Sequence, residues 1–393
     1  MPRWSMFLIF FLIALSITAG VHYYLYRRLV VGPELPPPWF GIGRAALIAL
    51  GISIPLSFFA NRLLGLHATR VLVFPIYVWM GLMALFFFSF LGLDVLRAVL
   101  VLGSRVSGHG EWIGSPERRL FLSRVVAWTA AGIVLPTAGV GVAWGLGKLV
   151  VKRIEVTLRN LPRELDGFTI AQLTDLHMGP MRGGRWLSEV VKRTNALGPD
   201  LVAITGDLVD GTVAELATDV EPLRELQARE GVVFVTGNHE YFNDLLGWME
   251  HLPKLGLRVL RNEHITLRRG KVAVDIAGVD DPTGRRFAPG HGTDLGQALS
   301  GRDTGRPVVL LAHQPKIIDE AQAQGVDLVL SGHTHGGQLW PFSYLVALSQ
   351  PYLKGLHDHG GTQIYVSSGT GFWGPPMRLG TTAEISLITL RAG

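Results

Sequence analysis

Ser331-Gly332-His333-Thr334-His335-Gly336-Gly337-Gln338 follows a short apolar run, residues 326–330, that reads as a buried strand. Two imidazoles one residue apart, just past a strand end and beside glycines that let the chain bend sharply, suit metal ligation. An H-x-H pair also occurs where imidazoles merely hydrogen-bond, so its meaning depends on partners elsewhere in the chain.

Those partners follow other strands. Residues 168–173, 201–204, 232–235, 308–311 and 327–330 are each a short apolar run, separated by helical stretches such as 185–197 and 216–228. This alternation predicts a layered α/β or α+β fold. The first run ends in Thr174-Asp175-Leu176-His177, the second in Gly206-Asp207-Leu208-Val209-Asp210 and the third in Gly237-Asn238-His239-Glu240. The fourth ends in His313-Gln314-Pro315 and the fifth in the opening stretch. Singly, Asp175 or Asp207 fits a helix cap, Asn238 a turn and His313 a satisfied core histidine. Five successive strand ends that all carry such groups are instead the pattern of a site, where an open α/β sheet usually places one. The set mixes nitrogen and oxygen without sulfur, which suits Mn, Fe or Zn.

The chain has 393 residues, enough for two domains, and no cysteine, which excludes disulfides and thiolate metal sites. Residues 1–150 hold 12 Lys/Arg and 4 Asp/Glu, whereas residues 151–393 hold 24 and 27. The high pI therefore belongs to the first part, and no nucleic-acid partner is indicated for the second. Apolar stretches at 5–26, 45–60, 71–92 and 125–147 fill most of the first part. All but the second exceed the roughly 20 residues that cross a bilayer core, and Leu63-Leu64 would extend the second. The first also resembles a signal peptide with Arg3 at its basic end, but it outruns the usual apolar region of roughly 7–15 residues. The spans carry almost no ionisable groups, which disfavours transport, and Asp94 is placed just past the third. We expect a multi-pass anchor over 1–150 and a catalytic domain over 151–393.

For orientation, one side carries Arg27, Arg28, Arg44, Arg97, Arg105, Arg118, Arg119 and Arg124. The other carries Arg3, Arg62, Arg70, Lys148, Lys152 and Arg153. The richer loops belong in the cytoplasm, so the second half is expected on the outer face of the membrane.

The blocks D-x-H, G-D-x-x-D, G-N-H-E, a lone His and G-H-x-H, in this order over roughly residues 154–390, resemble the calcineurin-like metallophosphoesterase family. The approach through Leu161-Pro162 and Asp166-Gly167 to Asp175-Leu176-His177 looks like its membrane-associated bacterial phosphodiesterase branch. The resemblance implies a four-layer αββα sandwich, here preceded by an all-α transmembrane region of about four helices. It further implies two divalent metal ions: Asp175, His177 and His335 on the first, Asn238, His313 and His333 on the second, and Asp207 shared. His239 is then not a ligand but the group beside the reacting phosphate. Independently, two metals about 3.5–4 Å apart clamp both ends of an in-line displacement. A shared carboxylate keeps two cations together, and Asn238 adds an oxygen without adding charge. His239 suits proton donation to the leaving oxygen, and Asp210 suits orienting a ligand or the loop.

Asp280-Asp281 reads as a turn, His357 and His359 as a solvated loop rather than a lid, and Arg378 as a candidate for holding substrate phosphate. The expected activity is hydrolysis of a phosphodiester or phosphomonoester, lipid-linked substrates included, beside membrane lipid. Two alternatives stay open. One is a lipid-linked pyrophosphatase acting on nucleotide-activated lipid A precursors, which needs the catalytic half in the cytoplasm. The other is a membrane sensor that binds metal without turnover.

Overall fold

Uncharged apolar runs of this length fold as helices because a helix satisfies every backbone polar group internally. A computed structural model describes residues 3–106, 115–147, 149–287 and 289–393. They form two compact units: Met1–Ala143 with Gly374–Met377, and Trp144–Trp373 with Arg378–Gly393. The first unit contains helices α1 (Arg3–Tyr26), α2 (Trp39–Leu64), α3 (Leu66–Val106) and α4 (Pro116–Leu146). Among the described residues, three helical stretches are long and apolar enough to cross a membrane: Trp39–Ser57, Thr69–Ser104 and Pro116–Leu146. Lys148, one of the basic residues counted for orientation, lies outside the described residues, as do the side chains of Arg3, Arg62 and Arg105.

Two expectations change here. The second apolar run belongs to a helix of 26 residues, because α2 starts upstream at Trp39 and continues through Leu63-Leu64. Asp94 does not follow the third helix but lies inside it, α3 being 41 residues long. Its charge is matched locally: Asp94 is ion-paired with Arg28 and accepts a hydrogen bond from the Tyr24 hydroxyl at 2.5 Å. A neutralised carboxylate need not end a helix.

Among its described residues the second unit holds twelve strands: β1 (Val150–Leu158), β2 (Thr169–Leu173), β3 (Leu201–Thr205), β4 (Val232–Val235), β5 (Leu257–Val259) and β6 (Glu263–Arg269), then β7 (Val272–Gly278), β8 (Val308–Leu311), β9 (Leu328–Ser331), β10 (Gly355–His359), β11 (Thr362–Val366) and β12 (Glu384–Ala392). They form two six-stranded sheets, in the orders β1-β12-β2-β3-β4-β5 and β10-β11-β9-β8-β7-β6. In the first sheet β2 to β5 run parallel, in register Ile170↔Leu201 and Ala203↔Val233. In the second, β7, β8, β9 and β11 run parallel, with β6 and β10 antiparallel at the edges.

The main core lies between the sheets. Ile170, Leu201, Ala203 and Val235 of the first pack with Ile276, Val309, Leu311 and Leu330 of the second. The opposite face of the second sheet, with Val308, Leu310 and Val329, is covered by helical Leu295, Ala298, Ile318 and Ala321. Strands buried on both faces have no polar alternation, which explains why they read as continuous apolar runs. On the first sheet's side, α5 (Gly184–Asn195) buries Leu187, Val190 and Val191. The next helix, α6 (Val213–Val220), is shorter than the expected 216–228. It opens on a Thr212–Glu215 capping box and tightens into a 3₁₀ turn at Glu221–Glu225, where Pro222 supplies no N–H. The result is the α/β metallophosphoesterase sandwich, and the parallel central strands send the loops after β2, β3, β4, β8 and β9 from matching ends.

Candidate metal centre

Backbone strain marks these loops. Asp175 (φ 53°), His177 (47°), Asp207 (51°), His333 (68°) and His335 (51°) all adopt the left-handed conformation, which non-glycine residues seldom occupy. Each such residue costs of order 1–3 kcal/mol, and such strain clusters at functional sites. The sharp bends, on the loops after β2, β3 and β9, turn these side chains towards one place.

Two groups of ligand atoms result. Asp175, His177 and His335 form one, Asp207, His313 and His333 the other, each with its ligand atoms within 4.8 Å of one another. In the first group His177 Nε2 lies 3.1 Å from His335 Nε2, and His335 Nε2 lies 3.4 Å from Asp175 Oδ1. In the second, His313 Nε2 is 3.1 Å from Asp207 Oδ2 and 3.3 Å from His333 Nδ1. Asp207 Oδ2 is also 3.8 Å from His177 Nε2, so one carboxylate faces both groups. His333 and His335, one residue apart, point into different groups.

A further trio, His177, Asp210 and His239, explains how the rings are aimed. Asp210 Oδ1 lies 3.1 Å from His177 Nδ1 and 2.6 Å from His239 Nδ1. A carboxylate only accepts, so each Nδ1 carries the hydrogen and each Nε2 is turned inward, 3.8 and 3.9 Å from Asp207 Oδ2. This is the outer-shell orientation that ligating histidines usually receive.

Glu240 had no assigned role in the sequence reading, yet it joins two of the loops. Fully buried, it accepts from the backbone N–H of Gly237 (2.6 Å), Asp207 (3.1 Å) and Leu208 (2.8 Å). Its spacing from Gly237 is that of a capping box, a signal legible in the sequence. Gly237 must be glycine for closeness of approach: a Cβ there would stand 2.2 Å from Asp207 Oδ1. At Gly332 a Cβ would stand 2.4 Å from Asp175 Oδ2.

The electrostatics set the members apart. Burial pushes the Asp175 carboxyl up against the pull of His313. Burial would raise Asp207 too, but the imidazoles of His313 and His239 hold it well below the usual range. His239 is raised to about 9, because Asp207 and Asp210 outweigh its burial. Burial lowers His333 to about 3, helped by His313, and takes His335 well below its ordinary value, helped by His177 and Arg378. Neutral imidazole is the form that binds metal. Asn238, the first residue of helix α7 (Asn238–Phe242), leaves its buried Oδ1 without a hydrogen-bond partner. An orphaned carbonyl oxygen, ring nitrogens facing one another and two buried carboxylates form a donor set that fits a pair of divalent cations.

The other candidates fall elsewhere. Asp280 and Asp281 do precede a turn but are buried: Asp280 pairs with Arg261 at 2.9 Å, and Asp281 accepts from the Gln314 side chain beside His313. His357 and His359 sit on edge strand β10, where His357 Nε2 meets Lys354 O and His359 Nε2 meets Asp319. Arg378 is not an open phosphate clamp. It is fully buried and donates to the carbonyls of Ser368 (2.7 Å), Gly369 (3.2 Å) and Gly371 (2.5 Å), so its donors lock a loop.

The sequence pattern of the calcineurin-like phosphoesterase family matches residues 168–337. A Danio rerio transmembrane protein with metallophosphoesterase domain is 41% identical over 248 residues, covering 61% of this chain and 56% of that protein. An uncharacterized metallophosphoesterase of Helicobacter pylori is 40% identical over 251 residues, covering 63% of this chain and 65% of that one. The chain thus spans little more than half to two-thirds of these two relatives. The uncharacterized metallophosphoesterase Cj0846 of Campylobacter jejuni is 32% identical over 399 residues, covering 98% of this chain and 99% of that protein.

Proposed function

The chain belongs to the calcineurin-like metallophosphoesterase family, and on that premise we propose that it is a membrane-anchored, metal-dependent hydrolase of phosphodiesters or phosphomonoesters. The observation that carries the reading is the single Asp207 carboxylate facing two histidine groups; the orphaned Asn238 oxygen belongs to the residue next to His239, whose backbone N–H donates to Asp207 Oδ1 at 2.9 Å. Asp175, His177 and His335 would hold one ion, Asn238, His313 and His333 the other, with Asp207 between them; Mn, Fe and Zn suit the donors. Such ions supply Lewis acidity at the phosphoryl oxygens and activate water at neutral pH.

The chain's own residues do the rest. His239 is the proton carrier: Asp210 fixes its Nδ1, its Nε2 faces the centre, and the adjacent carboxylates keep it protonated at neutral pH. Its side chain keeps 14% of its surface exposed, against 10% for His335, 1% for His177 and none for His313, which leaves it open to substrate. It would give its proton to the leaving oxygen as the phosphorus–oxygen bond breaks. Asp210 aims His177 and His239 together, and Glu240 fixes the spacing between the Asp207 and His239 loops.

Residues 1–150 act as the anchor in this reading and residues 151–393 as the catalyst, on the outer face as the basic-residue distribution favours. The test is hydrolysis of bis-p-nitrophenyl phosphate by the purified full chain in detergent, with and without Mn. Loss of turnover after chelation and in His335→Ala is the expected result. Equal turnover in either case overturns the reading, and tight metal binding without hydrolysis of any phosphoester would favour a sensor.

A further inference from the structure

Residues 338–353, which leave the His333-Thr334-His335 loop, contain no Lys, Arg, Asp or Glu. A surface loop of this composition ordinarily folds inward, but this one does not. Its short helix, Ser343–Ala347, has no buried residue. Trp340 is 56% exposed, Tyr344 67% and Leu348 85%, with Phe342 and Leu345 also open. Among the described residues of 151–393, exposed large apolar side chains fall in this loop or at Phe242 and Trp373, with Leu246 and Leu356 as the exceptions. A contiguous exposed apolar patch marks an interaction.

The loop is built onto the metal centre. Gly337, two residues past His335, lies so close to Ser343 that a Cβ on it would stand 2.4 Å from that side chain. The loop's far end returns to the same place, where Thr334 Oγ1 donates to Leu353 O at 2.6 Å. Gln338 Nε2 donates to Trp373 O (2.8 Å), and Trp373 N donates to Gln338 Oε1 (3.0 Å). The Trp373 ring lies 5.7 Å from the His239 ring, and the exposed Phe242 ring lies 5.5 Å from it. The proposed proton carrier is thus flanked by two rings, one of them tied to the uncharged loop.

We infer that the substrate is an amphiphile, a phosphoester on a long hydrocarbon chain, and that residues 338–348 seat the chain while the metal centre takes the headgroup. The inference rests on the hydrolase reading above and names its substrate class. Trp and Tyr beside aliphatic residues are the side chains that favour the boundary between water and hydrocarbon. A protein partner would call for charged groups on a polar rim, and residues 338–353 carry none. The same chain carries helices long enough to cross a bilayer, which raises the effective concentration of any phosphoester held in that bilayer.

The test compares p-nitrophenyl methyl phosphate with p-nitrophenyl dodecyl phosphate, using the full chain in maltoside detergent with Mn. The expected kcat/KM is at least about tenfold higher for the dodecyl ester. In Tyr344→Ser/Leu345→Ser/Leu348→Ser that ratio should fall below about 2. Leu348→Glu, a milder change at the most open of these positions, should lower it at least about threefold. A ratio near one in the natural chain overturns the inference and leaves the hydrolase reading standing. A ratio kept in both variants also overturns it, because micelle partitioning alone would then explain the preference. Hydrolysis of neither ester, with bis-p-nitrophenyl phosphate and p-nitrophenyl phosphate also left intact, removes both readings together.

Discussion

The two units of this chain carry their information differently. In the helical unit no single residue decides the structure: α1 to α4 follow from length and apolar composition, and many side chains are exchangeable for others of their kind. In the sandwich unit the candidate chemistry depends on seven side chains on five loops, five of them in left-handed backbone. Read as an anchor, the helical unit is specified by bulk property, whereas a site is specified by position. Substitutions should therefore have very unequal effects in the two units.

The largest effect is expected at the histidine pair. His335→Ala should lower phosphodiester hydrolysis by about 10³-fold or more, and a chelator should do the same to the natural chain. Val99→Leu, on the open surface of α3, should change the rate less than about twofold. Comparable losses from the two would break the comparison. Metal analysis sharpens it. His333→Ala and His335→Ala should each drop the bound metal from about two equivalents to about one, because the rings enter different groups. Loss of all metal from both variants would place the two rings on one ion.

Next in size are the residues that hold the loops. Glu240→Ala leaves the backbone N–H groups of Gly237, Asp207 and Leu208 without their buried acceptor, each at about 1–3 kcal/mol. The expected result is about 3 kcal/mol or more of lost stability in denaturant titration, with a rate loss of about 10–100-fold. Arg378→Met keeps much of the side chain's bulk but strips donors from the carbonyls of Ser368, Gly369 and Gly371. It should cost about 2–4 kcal/mol. Unchanged stability with weakened substrate binding would instead restore Arg378 as a phosphate clamp.

How much of this was legible depends on the scale of the signal. The five strands that carry the site stood out because burial on both faces makes them continuous apolar runs. Strands β6 and β10 did not, since edge strands in partial contact with water mix His, Arg and Asp into their sequences. The candidate residues were legible because each follows a strand end, and six of them come together in two groups. The roles of Glu240 and Arg378 were not, because both depend on which backbone groups lie opposite them, and sequence spacing shows only the Glu240–Gly237 part. Asp94 was misplaced for a related reason: a charge reads as the end of an apolar helix unless its partner, here Arg28 on another helix, is known.

That pair supplies the smallest and most discriminating prediction. Asp94 and Arg28 keep 28% and 31% of their side-chain surface exposed, so the pair is partly screened. Asp94→Asn removes the charge but leaves an oxygen for the Tyr24 hydroxyl, which donates to it now. Such a change should cost only about 1 kcal/mol, read as a shift of a few degrees in the detergent melting curve. Phosphodiester turnover should stay within about twofold, because an anchor needs its helices and not a particular charge. A variant that melts normally but loses turnover would mean that the helical unit contributes position-specific chemistry of its own. The contrast between the two units would then fail at its most polar point, where three ionisable side chains meet among apolar helices.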